Sequence, residues 1–373
     1  MVKLLWITEN YPPQQGGMAQ SADRIVQNLR RRGLIIDVLH LSEKHKQIEK
    51  QEQFNGQYIS FPLQEDLAHS LQLLWLFVEN QLPSYDYLVA FGGYVPIFVC
   101  PILSRWLNVP LVTLLRGNDF DVAIFTPKRF EILERCLLTS QKVACVSSDK
   151  IRKIKALYPQ VPTFFTPNGI DIHNWQPLEI DKKKAQELRN TWQGKKAIGL
   201  FGQLKAKKGL QFFINSLLHS GVASQVHLLV VGELEPATYE KLHTTESPFS
   251  FTYFPLTDRY QLLPYYLAVD AVALPSFYDG MPNVLLEAGA LGIPLIASLV
   301  AGMADVLSPQ MAFLFPPLDF DACRKAIYDF VKTEPSQLAS MGKALQTHIQ
   351  QNFSHEQEAE RYWQLFTQPT YFA

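Results

Sequence analysis

The sequence is poor in paired cysteine, in uninterrupted apolar runs and in net charge, and each shortage removes a class of protein. Its four cysteines, Cys100, Cys136, Cys145 and Cys323, are scattered through 373 residues with no Cys-x-x-Cys pair. A disulfide framework is not expected in a chain of this size, and the cysteines read as small core residues. The longest apolar region, 87–107, is broken by Gly92, Gly93, Pro96, Pro101 and Arg105. It therefore reads as strand, turn and helix, not as a membrane span. The opening residues, Met1-Val2-Lys3-Leu4-Leu5-Trp6-Ile7-Thr8-Glu9, lack the basic start, apolar centre and small-residue cleavage site of a signal peptide. Lys and Arg number 34 against 35 Asp and Glu, a formal charge of −1, so no general attraction to nucleic acid is implied. The three-glycine dinucleotide fingerprint is missing as well, which counts against a nicotinamide or flavin enzyme. The expectation is a cytoplasmic protein; peripheral contact with the inner membrane and the oligomeric state stay open.

What is present is alternation. The length suits two domains of roughly 150–200 residues. In the first half, 3–8, 34–41, 87–91, 111–115, 142–146 and 163–165 read as strands, and 18–32 reads as a helix with Ala22, Ile25, Val26 and Leu29 on one face. The polar segment 42–57 reads as a mobile excursion. After Pro167-Asn168-Gly169 and a polar stretch around 180–195, the pattern restarts. Strands are expected at 197–201, 226–231, 271–274 and 294–297, and helices at 209–219, 256–269 (despite Pro264), 283–291 and 355–366. Such repetition predicts two parallel sheets covered on both faces. Ligands bind such sheets beyond the carboxyl ends of the strands, so the residues directly after strands carry the functional reading.

The richest of these stretches is Leu274-Pro275-Ser276-Phe277-Tyr278-Asp279-Gly280-Met281-Pro282-Asn283-Val284-Leu285-Leu286-Glu287-Ala288. A strand ends, an acidic loop follows, and Pro282 suits the first turn of a helix. The free N–H groups of that turn, within Met281-Pro282-Asn283-Val284 and supplied by its residues other than proline, favour an anion such as a diphosphate. Glu287 falls on the same helical face as Asn283, where its carboxylate can accept two hydrogen bonds from a ribose diol. Asp279 is placed to hold hydroxyls of a sugar. The bland alternative is a helix start with a loop acid and a surface Glu. A second post-strand stretch, Gly202-Gln203-Leu204-Lys205-Ala206-Lys207-Lys208-Gly209, offers a glycine and then cations. Lysines there act as point charges on a leaving pyrophosphate, or else only solvate a helix entry. A third loop, Gln14-Gln15-Gly16-Gly17-Met18-Ala19, lets backbone approach a ligand closely.

These segments resemble glycosyltransferase family 4, the large retaining family of the two-domain GT-B type (glycosyl transferases group 1). In its acidic motif two Glu flank seven residues and an Ala, a small residue and a Gly-x-Pro strand entry follow. Here Asp279 takes the first acidic place and Glu287-Ala288-Gly289-Ala290-Leu291-Gly292-Ile293-Pro294 the rest; Ala301-Gly302-Met303-Ala304-Asp305 resembles the element after it. Thr166-Pro167-Asn168-Gly169-Ile170-Asp171 resembles the family's domain junction, 202–209 its diphosphate loop, and 14–19 its glycine-rich loop. Three positions depart: Asp279 stands for the usual Glu, Gln203 for a common Arg, and Arg116 for the His of a Thr-x-His-Gly-x-Asp segment. Lys205 or Lys207 is placed to supply the charge that Gln203 lacks. Arg116 cannot act as a general base but can hold a phosphate or carboxylate, or pair with Asp119 or Asp121 for structure alone. Asp119-Phe120-Asp121 spells a metal motif of a different glycosyltransferase fold and is read as coincidence.

The resemblance implies an α/β protein with two Rossmann-like domains facing across a cleft, at 1–170 and 171–352, with 353–373 as a helix returning to the first domain. It implies a hexosyltransferase that moves a sugar, with retention, from a nucleotide-sugar to an unidentified acceptor in glycan, polysaccharide or glycolipid synthesis. Asp279, Lys208 and Arg116 are the expected catalytic residues. Gly17, Gly202, Lys205, Lys208, Met281, Pro282, Asn283, Val284 and Glu287 are expected to bind the donor, with no metal or other cofactor. Two rivals remain: a catalytically silent transferase-like subunit, motivated by the three departures, and a nucleotide-sugar epimerase on the same fold, which the acidic motif does not support.

Overall fold

The computed structural model describes every residue except 15, 193, 236, 237, 241, 243–246, 259, 260 and 369–373. The chain divides into two compact units, one of Met1–Asn168 with His355–Ala373 and the other of Gly169–Ser354.

In the first unit the strands are β1 (Lys3–Thr8), β2 (Ile35–Ser42), β3 (Glu49–Gln53), β4 (Gly56–Pro62), β5 (Tyr87–Phe91), β6 (Leu111–Leu115), β7 (Lys142–Cys145) and β8 (Thr163–Phe165). They form one sheet in the order β3-β4-β2-β1-β5-β6-β7-β8. All neighbours are parallel except β3 and β4. Both faces are buried, which is why β1 reads as a continuous apolar run. Leu5 and Ile7 enter one core with Leu88, Ala90 and Leu103; Leu4 and Trp6 enter the other with Ile25, Val26 and Leu29. The excursion expected at 42–57 is instead an antiparallel pair added to the sheet edge. β3 is Glu-Lys-Gln-Glu-Gln and almost wholly exposed, so it carries no apolar alternation to announce it. The turn between them uses Asn55 at φ 51° and Gly56 at φ 138°. The four cysteines are buried thiols, and desolvation pushes those of Cys136 and Cys145 up to about 12.

The C-terminal helix His355–Thr367 packs in this unit against helix Gly17–Arg31. The Arg24 guanidinium donates to both oxygens of the buried Glu358 carboxylate at 2.7 and 2.9 Å, and Arg32 pairs with Glu360. Tyr362, Leu365 and Phe366 complete the second core.

In the second unit the strands are β9 (Lys196–Leu204), β10 (Val226–Leu234), β11 (Ser250–Phe254), β12 (Ala271–Leu274), β13 (Leu295–Ser298) and β14 (Ala312–Phe315). Their order is β11-β10-β9-β12-β13-β14, all parallel. Alternate residues of β10 again serve opposite cores: Leu229 and Val231 on one face, Leu228 and Val230 on the other. The polar stretch before β9 is a helix, Glu179–Asn190, whose only buried residue is Ala185. The helix expected at 256–269 is confined to Leu263–Leu267, with Pro264 in its first turn, where the missing N–H leaves no bond unmade. Arg259 and Tyr260 of that segment lie outside the described residues. Among the described residues no helix is long and apolar enough to cross a membrane.

Candidate functional site

The second unit starts at β9 in the middle of its sheet, runs outward through β10 and β11, and returns to β12 on the other side of β9. The chain thus reverses its winding between β9 and β12. The crevice beyond the carboxyl ends of two such strands is where open parallel sheets bind ligands. The segments leaving β9 and β12 are those that carry the lysines and the acids.

These segments are bonded to each other. The Phe277 N–H donates to the Lys207 carbonyl at 2.9 Å. Gly209 sits at φ 69°, and a Cβ there would lie 2.1 Å from the Pro275 carbonyl oxygen, so this close approach requires glycine. The Lys208 ammonium donates to Asp279 Oδ2 across the same gap, with both side chains largely buried. Lys207 lies over the Tyr278 ring, 5.3 Å from its centroid, and Lys205 is exposed. From the other side, the end of β13 and the segment after it brace the acidic loop. Ser298 Oγ donates to the Ser276 carbonyl at 2.5 Å, and the Gly302 N–H donates to the Gly280 carbonyl at 2.8 Å. A Cβ on Gly302 would come within 1.9 Å of that same oxygen. Asp279 is thereby presented on a loop fixed at both ends.

Beyond the loop, helix Asn283–Ala290 begins. Pro282 is not in its first turn, as the sequence suggests, but is its N-cap, with extended backbone at φ −70° and ψ 134°. Its carbonyl accepts the Leu285 N–H at 3.1 Å, so the helix starts one residue later with the same polarity toward the crevice. Met281 and Pro282 are buried, Asn283 and Val284 half-buried. Gly202 is also placed differently: it lies within β9, not after it, at φ 95°. A Cβ on Gly202 would stand 3.9 Å from the Val284 side chain, so the strand end borders the helix start.

Glu287 is one turn into the helix and buried, not a surface acid. Its Oε2 accepts the Tyr266 hydroxyl at 2.7 Å. Tyr266 is fully buried, stacked on Phe201 with centroids 4.0 Å apart and meeting Trp175 edge-on at 5.5 Å. No sequence motif points to Tyr266 or to its bond with Glu287. The available signal was a tyrosine, not a phenylalanine, in an apolar helix, since a buried phenol needs a partner.

In the first unit, Gly17 opens helix Gly17–Arg31 behind Gly16, whose φ is 131°; Gln15 lies outside the described residues. Arg116, directly after β6, is buried. It donates from Nη1 to the Tyr362 hydroxyl at 2.8 Å and from Nη2 to the Asn168 side-chain oxygen, and it lies over the Phe91 ring. The expected alternative, a pairing of its guanidinium with Asp119 or Asp121, does not occur. Asp119 instead accepts the backbone N–H groups of Arg116 and Gly117 at 2.7 and 2.6 Å, and burial raises its pKa. Asp121 pairs with buried Lys150 at 2.5 Å. The two carboxylates of the Asp-x-Asp stretch thus serve different partners, and among the described residues no group of three His, Cys, Asp or Glu could hold a metal ion. His40 lies against His45 and Tyr58, with its Nδ1 2.9 Å from the Tyr58 hydroxyl.

Residues 195–333 match the family described as "Glycosyl transferases group 1", a span that holds every candidate residue of the second unit. Over 356 residues the chain is 23% identical to TuaC of Bacillus subtilis, designated a teichuronic acid biosynthesis glycosyltransferase, covering 87% of this chain and 88% of that protein. Among solved structures, sucrose-phosphate synthase from Thermosynechococcus elongatus superposes with a TM-score of 0.82 at 18% identity, covering 99% of both chains. HepE of Anabaena, solved in complex with UDP-glucose, gives 0.78 at 17% identity, covering 99% of this chain and all of that one. The fold is that of the GT-B glycosyltransferases. The matches support a glycosyltransferase, with relatives in polysaccharide and glycolipid synthesis.

Proposed function

We propose that the protein is a retaining glycosyltransferase that takes a sugar from a nucleotide-sugar donor, and that the crevice between β9 and β12 is its donor site. The observation that carries this reading is the Lys208–Asp279 ion pair, which ties a cationic post-strand turn to an acidic post-strand loop at the winding reversal of the sheet. In the proposed mechanism the diphosphate lies between Lys208, with Lys205 at its exposed side, and the N-terminus of helix Asn283–Ala290. Charge developing on the leaving diphosphate is neutralised by ammonium groups and helix N–H groups already in position, so little reorganisation is needed as the glycosidic bond breaks. Gly202 keeps the strand end low enough for a ligand, Glu287 accepts the ribose hydroxyls, and Asp279 orients the sugar. No step is routed through a metal. The roles expected of Gly17 and Arg116 rest on the resemblance alone.

The relatives are named for different sugars and acceptors, so the assay offers a panel. Purified protein is incubated with UDP- and GDP-hexoses, and release of UDP or GDP is followed with and without candidate acceptors. Release that is lost in Lys208→Ala and Glu287→Ala supports the proposal. Diphosphate binding without any turnover would favour the catalytically silent subunit, and no binding at all would overturn the site.

A further inference from the structure

We infer that Tyr266 is a positioning residue for ribose recognition: its phenol fixes the Glu287 carboxylate in the orientation that receives a ribose diol. The inference rests on the donor-site reading above and adds a residue that neither the sequence motifs nor the comparisons assign.

A glutamate side chain on a helix has three rotatable bonds, and an ionised carboxylate at the edge of a core would turn toward water if nothing held it. Here the Tyr266 hydroxyl donates to Oε2 at 2.7 Å, a bond between two buried side chains. The phenol itself has no freedom to follow the carboxylate. Its ring is sandwiched by the Phe201 face at 4.0 Å and the Trp175 edge at 5.5 Å, and it rises from the short helix Leu263–Leu267, pinned between β11 and β12 in the chain. Phe201 immediately precedes Gly202 in β9. The strand that ends in the diphosphate turn therefore also supplies the ring on which the ribose-binding acid is indirectly seated. A bidentate acceptor discriminates only when both oxygens are presented in a fixed plane, because a rotating carboxylate spends its binding energy on ordering. A phenylalanine at 266 would fill the same space and keep both ring contacts while removing the hydroxyl's bond to the carboxylate.

The test compares ribose with its deoxygenated form. Affinities of UDP, GDP and their 2′,3′-dideoxy counterparts are measured by titration calorimetry for wild type, Tyr266→Phe, Glu287→Gln and the double variant. Wild type is expected to prefer the ribonucleotide about tenfold or more, the worth of hydrogen bonds to a charged acceptor. Tyr266→Phe should cut that preference by roughly threefold to tenfold while leaving dideoxynucleotide affinity unchanged, and in the double variant it should add nothing to Glu287→Gln. Lys208→Ala serves as a contrast, weakening both nucleotides equally. An unaltered ribose preference in Tyr266→Phe overturns the positioning role while leaving the donor site standing. Equal loss of both nucleotides in Tyr266→Phe also overturns it, by showing a general structural effect. Wild-type protein that binds neither diphosphate, or does not distinguish ribose, overturns the donor-site reading and the Tyr266 role together.

Discussion

Lys208 and Asp279, 71 residues apart in the sequence, are joined as an ion pair between the segments that leave β9 and β12. The acid expected to orient the sugar thus pairs with the cation expected to bind the diphosphate. In the proposed mechanism, donor binding exchanges this carboxylate for a diphosphate on the same ammonium.

That exchange predicts opposite effects on two measurements. Asp279→Asn should bind free nucleoside diphosphate roughly twofold to tenfold more tightly, because Lys208 no longer has to leave a charged partner. The same variant should lose transfer by about a hundredfold or more, since a carboxylate contact to the reacting sugar is gone. Calorimetry and turnover on one preparation check both. Weaker diphosphate binding in Asp279→Asn would mean that the two groups do not compete.

Gly209→Ala is expected to disturb the site through the backbone. The residue is held at φ 69° with the Pro275 carbonyl where a methyl group would be. A cost of about 2 kcal/mol or more follows from left-handed strain plus overlap. Urea denaturation should register it, together with weaker diphosphate binding as the two segments separate.

Arg116 is expected to matter for structure whatever else it does. Its guanidinium bonds Tyr362 in the C-terminal helix and Asn168 at the end of the first unit's main segment. Arg116→Met should cost about 2–4 kcal/mol because two buried hydrogen bonds from a charged donor are lost, and Tyr362→Phe about 1 kcal/mol. Hydrogen exchange should show earlier opening of His355–Thr367 in both.

Stability should fall on mild acidification, through buried histidines. His227 stacks on Trp192 at 4.1 Å and bonds Ser250 Oγ at 2.9 Å, and burial, with Lys195 and Arg189 nearby, pushes its pKa down to about 4. Burial beside His45 does the same to His40. Between the ordinary value of 6.5 and about 4, the unfolded chain binds protons that the folded chain refuses. Stability present above pH 6.5 is therefore lost as the pH falls through this window. His227→Gln should flatten the dependence of the denaturation midpoint between pH 7 and about pH 4.5, removing on the order of 2 kcal/mol of it after allowance for solvent screening.

How much was legible in the sequence follows from what each residue packs against. β12 and the helix after it stood out because a fully buried parallel strand is continuously apolar and Pro282 marks the transition. β3 went unread because its five polar residues face solvent at a sheet edge. β11 was missed because every residue is half-buried, which leaves no alternation. The helix Glu179–Asn190 looked like linker because it buries only Ala185. The candidate site residues were picked out by their positions after strands and by family resemblance, but their mutual bonds were not. The Lys208–Asp279 pair and the Tyr266–Glu287 bond depend on strands β9 and β12 lying side by side, a matter of sheet order that local patterns do not encode.

The most direct test of the account is a crystal structure of the protein with UDP or GDP, whichever binds more tightly. The account predicts diphosphate oxygens about 3 Å from Lys208 Nζ and from the first N–H groups of helix Asn283–Ala290, with Asp279 displaced from the lysine and the ribose hydroxyls on Glu287. A nucleotide bound elsewhere, with Lys208 still paired to Asp279, would contradict it.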